Sequence, residues 1–194
     1  MRLSNTLDTY LNKLPDIELL KSSRDGDVGA FGELVKRYES KVAATVIGML
    51  GQCEEADDVG QETFIRFYHA LHAFRGESSV GTYLTRIAIN LSLNELKRRE
   101  RHRFIFTKLD PDQETAEPAA ENDVDRFEEK EILRRALETL PPKFRAVVNL
   151  RLAEGYSTEE TADMLHIPVG TVLSRLQRAQ KKLRLILQTY KEGY

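Results

Sequence analysis

The stretch Gly155-Tyr156-Ser157-Thr158-Glu159-Glu160-Thr161-Ala162-Asp163-Met164-Leu165-His166-Ile167-Pro168-Val169-Gly170-Thr171-Val172 decides the fold. Gly155 stops one helix, and Ser157 followed three residues later by Glu160 is the pattern of a capping box that starts another. That helix runs to about Leu165, and His166-Ile167-Pro168 turns the chain. A longer helix follows, with Val172, Leu176, Ala179 and Leu183 on its buried face and Thr171, Ser174, Gln177, Arg178 and Lys181 on the opposite one. A short helix, a tight turn and a second helix with a polar, basic outer face read as a helix-turn-helix, whose second helix is shaped to enter a major groove. Residues 169–184 hold five basic side chains and no acidic one, which suits phosphate contact. An ordinary helical hairpin with a solvated basic face fits the same letters; the capping box and the sign of the charge favour DNA.

Working outward, Leu133, Ala136, Leu137 and Leu140 space as a helix stopped by Pro141-Pro142, and Phe144, Val147 and Val148 begin another. Nearer the N-terminus, three sets step by three and four: Phe31, Leu34, Val35, Tyr38, Val42 and Val46; Phe64, Phe67, Leu71 and Phe74; and Val80, Tyr83, Leu84, Ile87, Ala88 and Leu91. Three such amphipathic helices close a small bundle. Between the second and third lies Arg75-Gly76-Glu77-Ser78-Ser79, a loop composition with a cap at Ser78 or Ser79. No segment alternates with period two, so the predicted class is all-α.

Charge divides the 194 residues unevenly. Residues 1–106 are neutral overall, residues 107–131 carry a net −7, and residues 132–194 carry +5, within a total of −2. The acidic stretch has almost no apolar side chain to offset its ordering entropy, so it reads as a flexible linker between two small helical domains, 1–106 and 132–194. No run of about 18 apolar residues exists to span a membrane. Residues 1–14 carry Asp8 and polar side chains where a signal peptide needs an apolar stretch. Cys53 is the single cysteine, which excludes an internal disulfide framework or a multi-Cys zinc site. The expectation is a cytoplasmic protein.

Two N-terminal clusters stand out. Glu54, Glu55, Asp57, Asp58 and Glu62 form an acidic group with no cation among them, and Arg86, Lys97, Arg98, Arg99, Arg101 and Arg103 face only Glu95 and Glu100. Helix dipoles favour anions at a start and cations at an end, but two or three cations suffice for that. A carboxylate metal site finds no His or Cys to join it. One segment repels nucleic acid and another attracts it, which points to a protein partner on one surface and nucleic acid on the other.

Together these segments resemble a bacterial sigma factor of the extracytoplasmic-function (ECF) group. E-A-D-D-V-G-Q-E-T-F (55–64) is similar to the family's polymerase-gripping helix, and F-R-G-E-S-S-V-G-T-Y-L-T-R-I-A-I-N (74–90) to the loop and helix that read and melt the −10 element. L-P-P-K-F-R-A-V (140–147), G-Y-S-T-E-E-T-A-D-M-L (155–165) and P-V-G-T-V-L-S-R-L-Q-R-A (168–179) resemble its −35-binding domain. Five motifs stand in the family's order over residues 25–187. The resemblance implies that Asp57, Asp58, Gln61, Glu62 and Ile65 contact core RNA polymerase. It assigns the melted −10 strand to Arg75, Gly76, Glu77, Ser78, Ser79, Tyr83, Arg86, Asn90, Lys97, Arg98 and Arg99. It assigns the −35 duplex to Thr171, Leu173, Ser174, Arg175, Gln177, Arg178 and Lys181. It also implies an anti-sigma factor as regulator. No cofactor and no bound metal are expected. The chain departs from the pattern at Tyr83, where Trp is usual, at Gly60 inside the polymerase-binding helix, at Thr161, where Ile is usual, and at Leu173, a position often basic.

Two other classes fit less of the chain. A two-domain helix-turn-helix regulator would explain residues 155–183 but not an acidic helix, a basic helix and the loop that precedes it in one domain. An enzyme would need chemistry that is missing. His69 and His72 stand three apart with no third ligand in register, and there is no phosphate-binding glycine loop or nucleophile elbow.

Overall fold

The computed structural model describes residues 10–109 and 127–192. The helices are α1 (Asp16–Arg24), α2 (Val28–Leu50), α3 (Glu54–Ala70), α4 (Val80–Leu109), α5 (Phe127–Glu138), α6 (Pro142–Val148), α7 (Thr158–Leu165) and α8 (Val169–Glu192), with a π-helical turn at Asn149–Ala153. No strand occurs among the described residues, as the all-α expectation requires. The chain divides into two compact units, Met1–Ile47 with Gln52–Leu91 and Gly48–Gly51 with Ser92–Tyr194. Of the stretch read as linker, 107–109 and 127–131 are helical, and the linker reading of 110–126 lies outside the described residues.

In the first unit α1 is an element that periodicity did not reveal, because nine residues give too few apolar repeats to stand out. It docks through Leu19 and Leu20 and through ionic clamps. The Arg37 guanidinium donates to Asp16 and to the carbonyl of Leu14 at 3.1 Å, and the Tyr38 hydroxyl also donates to Asp16. Burial, with Asp16 beside it, pushes the Tyr38 phenol up to about 12. Asp27 caps α2, accepting from the backbone N–H of Gly29 at 2.8 Å and of Ala30 at 3.1 Å. The core is aromatic: Phe67 is fully buried and lies 6.0 Å from Phe74 and 5.9 Å from Tyr83, ring centre to ring centre. Polar residues in this core answer their own helices, Ser23 donating to Leu19 O at 2.7 Å and Thr63 to Val59 O at 2.8 Å. Gly81 lets α4 approach α2, since a Cβ there would sit 3.0 Å from Tyr38 Cε1.

In the second unit α8 packs against α5, α6 and α7. Ala136, Leu140, Phe144, Val148, Ala179 and Leu183 form one apolar cluster and Val147, Ala162 and Val172 another, with Leu176 against both. Each fully buried Leu, Val or Phe side chain contributes about 1.5–3 kcal/mol, and each alanine less. Leu133, expected on the inner face of α5, is instead exposed, because only Ala136, Leu137 and Leu140 fall on the stripe that meets α8. Arg145 is buried and its guanidinium donates to the carbonyls of Glu138 and, at 3.2 Å, Leu140. It answers orphan carbonyls at the end of α5, and burial pulls its pKa below the usual range. The helix read onward from Phe144 widens at Asn149, Glu154 N–H reaching Asn149 O at 2.9 Å, and ends at Gly155 with φ +76°.

Candidate nucleic-acid and partner interfaces

The first turn of α3 holds Glu54, Glu55 and Asp57, where the helix dipole favours anions. Ala56, Val59, Thr63 and Phe67 point inward. Asp57, Asp58, Gln61 and Ile65 are exposed on the opposite face, with Glu62 half-exposed at its edge. Tyr68, which sequence reasoning missed although it lies three residues past Ile65, continues that face. Its ring is half-exposed and braced edge-on against Phe31 at 4.9 Å. Glu62 has a cation after all: Arg66, one turn beyond the acidic run, pairs with it at 2.7 Å. An acidic rim around exposed Ile65 and Tyr68 suits a protein partner. Among the described residues no group of three or more His, Cys, Asp or Glu is placed to hold a metal ion.

Beyond α3, Phe74 is only 6% exposed and 4.9 Å from Tyr83, so it is part of the core. Tyr83 belongs to the same cluster but is only partly buried. The loop then stands clear: Arg75, Gly76, Glu77 and Ser79 are exposed, Ser78 is half-exposed, and Gly76 has φ +73°. Ser79 is the cap, its Oγ accepting the Thr82 N–H at 3.0 Å.

Along α4 the spacing places Tyr83, Ile87, Asn90, Asn94, Lys97 and Arg101 on one stripe, with Arg86 half-buried beside it. Asn90 follows Ile87 and lies between Ile89 and Leu91 in the sequence, yet Ile89 and Leu91 are buried while Asn90 faces solvent, which leaves its amide accessible to a ligand. The Lys97-Arg98-Arg99 triplet does not act as one cluster, because consecutive helical residues point about 100° apart. Lys97 is on the stripe. Arg98 is exposed but holds Glu95 at 2.7 Å, and Arg99 is half-buried, 3.2 Å from Glu95 and reaching Leu50 O at 3.4 Å. The bond from Arg98 leads in holding the Glu95 carboxyl below its ordinary range. Asn94 and Arg101, both exposed, were legible as the i+4 neighbours of Asn90 and Lys97.

In the second unit the capping box forms as read: Ser157 Oγ accepts from Glu160 N–H at 3.0 Å, and the Glu160 carboxylate accepts from Ser157 N–H at 2.7 Å. The turn closes as a Schellman motif, His166 N–H to Asp163 O at 3.2 Å and Ile167 N–H to Ala162 O at 3.0 Å. His166 therefore sits at φ 52°, a conformation glycine would take more easily. On α8, Val172, Ala179 and Leu183 are buried, as their spacing predicts. Leu173, Gln177, Arg178 and Lys181 are exposed, while Thr171, Ser174 and Arg175 are partly covered. Ser174 spends its hydroxyl proton on Thr171 O at 3.1 Å, so toward a ligand it can only accept. Thr161 is fully buried with no hydrogen-bond partner for its Oγ1.

Residues 34–102 match the family described as sigma-70 region 2, and residues 130–183 match sigma-70, region 4. The RNA polymerase sigma-H factor of Pseudomonas aeruginosa is 35% identical over 193 residues, covering 92% of this chain and 96% of that protein. The ECF RNA polymerase sigma-E factor of Haemophilus influenzae is 34% identical, covering 91% and 97%. The chain belongs to the ECF family of RNA polymerase sigma factors. This sigma factor also resembles solved structures. CnrH, in complex with the cytosolic domain of CnrY, has a TM-score of 0.63 at 27% identity, covering 90% of this chain and 97% of that one. The sigma factor RpoE, in complex with the anti-sigma factor NepR from Bartonella quintana, has a TM-score of 0.62 at 22% identity, covering 83% and 98%. Among the described residues, no helix of this sigma factor is long and apolar enough to cross a membrane.

Proposed function

We propose that this sigma factor docks on core RNA polymerase through α3, opens the −10 element with loop 75–79 and α4, and reads the −35 duplex with α8. The single observation that carries this reading is the opposition of two surfaces in one chain. The exposed face of α3 is acidic around Ile65 and Tyr68, and residues 169–184 of α8 are basic with no acidic side chain. A surface of the first kind repels DNA and a surface of the second attracts it.

The residues supply a physical route to melting. A base in the duplex is stacked, and unstacking it costs a few kcal/mol, so opening is favoured only if the freed base gains contacts it lacks in the helix. Loop 75–79 offers exposed backbone and hydroxyl groups for such a base, the Asn90 amide a second polar site, and Tyr83, only partly buried, a ring to stack on. Arg86, Lys97 and Arg101 hold phosphates. On the duplex side, Arg178 and Lys181 contact phosphate or guanine edges, with Arg175 at the margin. Thr171, Ser174 and Gln177 add polar contacts, and Leu173 meets a thymine methyl.

In this reading residues 1–106 form the polymerase and −10 domain, 107–131 the linker and 132–194 the −35 domain. The protein works in the cytoplasm, makes and breaks no covalent bond itself, and is held inactive by an anti-sigma factor. The solved complex of the similarly folded RpoE with NepR supports that last point. The test is run-off transcription with purified core polymerase on a pool of promoter fragments, with and without this protein. Protein-dependent transcripts from fragments sharing spaced −35 and −10 elements are expected. No such transcripts, with tight unaided binding to a duplex palindrome, would overturn the reading.

A further inference from the structure

We infer that Arg24, on α1, is a positioning residue for promoter opening: its guanidinium sets the direction in which the chain enters loop 75–79. The inference rests on the reading of that loop as the holder of an unstacked base. Helix α3 ends at Ala70, and the N–H groups of Leu71, Ala73 and Phe74 bond back to Tyr68 O and Ala70 O. The carbonyls of Leu71 and Phe74 lie past the helix end, where no further turn supplies a donor. Arg24, half-buried in the last turn of α1, supplies both: its Nε–H donates to Leu71 O at 2.9 Å and its Nη2 to Phe74 O.

The position of Phe74 O makes this more than a helix cap. That oxygen belongs to the peptide joining Phe74 to Arg75, so its direction fixes the first peptide plane of the loop. The Phe74 ring is already immobilised between Phe67 and Tyr83. At the far end Ser79 Oγ fixes the exit by accepting from Thr82 N–H at 3.0 Å. Between these anchors little restrains the chain. Arg75 and Glu77 approach only to 4.0 Å with side chains 84% and 81% exposed, and a Cβ on Gly76 would meet nothing within 4 Å. A pair that exposed contributes little. The loop's shape therefore depends on its two ends, and one end is held by a helix outside the motifs that resemble the −10 reader. A planar guanidinium spans two carbonyls at once, which a lysine ammonium does not reproduce.

The experiment uses the full chain with core polymerase and a single-stranded oligonucleotide carrying the −10 sequence found by run-off. R24M keeps most of the stem and removes the donors. It is expected to weaken oligonucleotide binding by about five- to thirty-fold, the equivalent of one residue's backbone freedom. Affinity for core polymerase and for the −35 duplex should stay unchanged, and R24K should recover part of the loss. Combined with G76A, which strains the loop directly at its positive φ, R24M should add less than its single effect, because both act through one loop. Wild-type oligonucleotide binding by R24M overturns the inference, as does an additive double variant or an equal loss in core and −35 binding. If G76A weakens the oligonucleotide and R24M does not, the loop reading stands and only Arg24 falls; if neither does, both fall. Should R24M fail to fold, R24K is read in its place, and wild-type oligonucleotide affinity there overturns the inference.

Discussion

Loop 75–79 and the turn of the helix-turn-helix each join two helices and each contain a residue at positive φ, Gly76 at +73° and His166 at 52°. They are held in opposite ways. The 166–168 turn is closed by its own backbone, through the two Schellman bonds, and Ile167 packs against the cluster of Val147, Ala162 and Val172. Loop 75–79 has no such closure; an arginine from α1 and a serine cap grip its two ends and leave its middle in solvent. On the proposed function the difference has a physical sense. A helix that is to read duplex DNA gains from arriving as a rigid body on a packed turn. A loop that is to take a single base has to leave backbone groups uncommitted, so its order is imposed from outside.

That contrast can be broken experimentally, beginning with the largest effect. Replacing Asp58 and Glu62 together by Lys should lower core-polymerase affinity about a hundredfold or more, since like charges then face a surface selected for acid. Helical content and −35 duplex binding should not change; unaltered core affinity would remove α3 from the assignment. Arg178→Ala and Lys181→Ala should each weaken duplex binding by about 1 kcal/mol or more and lower the salt dependence by roughly one counterion. Single-stranded −10 binding by the holoenzyme should be untouched, and a titration at several salt concentrations decides it.

Next in size is the turn itself. His166→Val should destabilise the second unit by about 1–2 kcal/mol, because a β-branched residue resists positive φ, whereas His166→Gly should be neutral or stabilising. Two changes should each stabilise by about 1 kcal/mol, one in each unit. Gly60→Ala adds a helix-favouring side chain inside α3 where nothing lies within 4 Å. Thr161→Val removes a buried hydroxyl that has no partner. Thermal melts test all four variants.

The smallest effects are in pH, and they run in opposite directions. Bonds from Arg134 and then Arg135 hold the Glu131 carboxyl down at about 2. Its folded pKa lies below the unfolded one, so its contribution is present above about 4.5 and is lost as pH falls toward 2. Tyr38, raised to about 12, does the reverse: its contribution is complete below 10 and is lost as pH rises toward 12. Acid should fray α5, whose Glu131 pairs lie within the helix, and alkali should loosen α1 from α2. Amide exchange followed across the pH range would show whether the two losses separate this way.

Much of this was legible beforehand. The capping box, the buried stripe of α8 and the end of the preceding helix at Gly155 are local events, set by hydrogen bonds and φ preferences spanning three to five residues. Asn90 shows the limit. Its neighbours Ile89 and Leu91 are buried, but a side chain one step along a helix turns about 100°, and only the packing shows which way the stripe faces. The Lys97-Arg98-Arg99 triplet divides for the same reason: Lys97 is exposed on the stripe of Asn90, whereas Arg98 and Arg99 turn to Glu95. Leu133 looked like core because it was apolar and correctly spaced, yet α8 covers only one side of α5. Arg66 was missed because the acidic cluster was read only to its last carboxylate.

By itself, the sequence determined the class of the fold, the division of charge and the caps, since each depends on residues close in the chain. Tertiary structure alone decided which side of α4 faces outward and what holds the loop before it. Arg24 stands 50 residues from Phe74, and no local period records that its guanidinium answers two carbonyls at the end of another helix. Such a bond exists only because backbone groups left over at a helix end must find a donor in whatever the fold brings beside them.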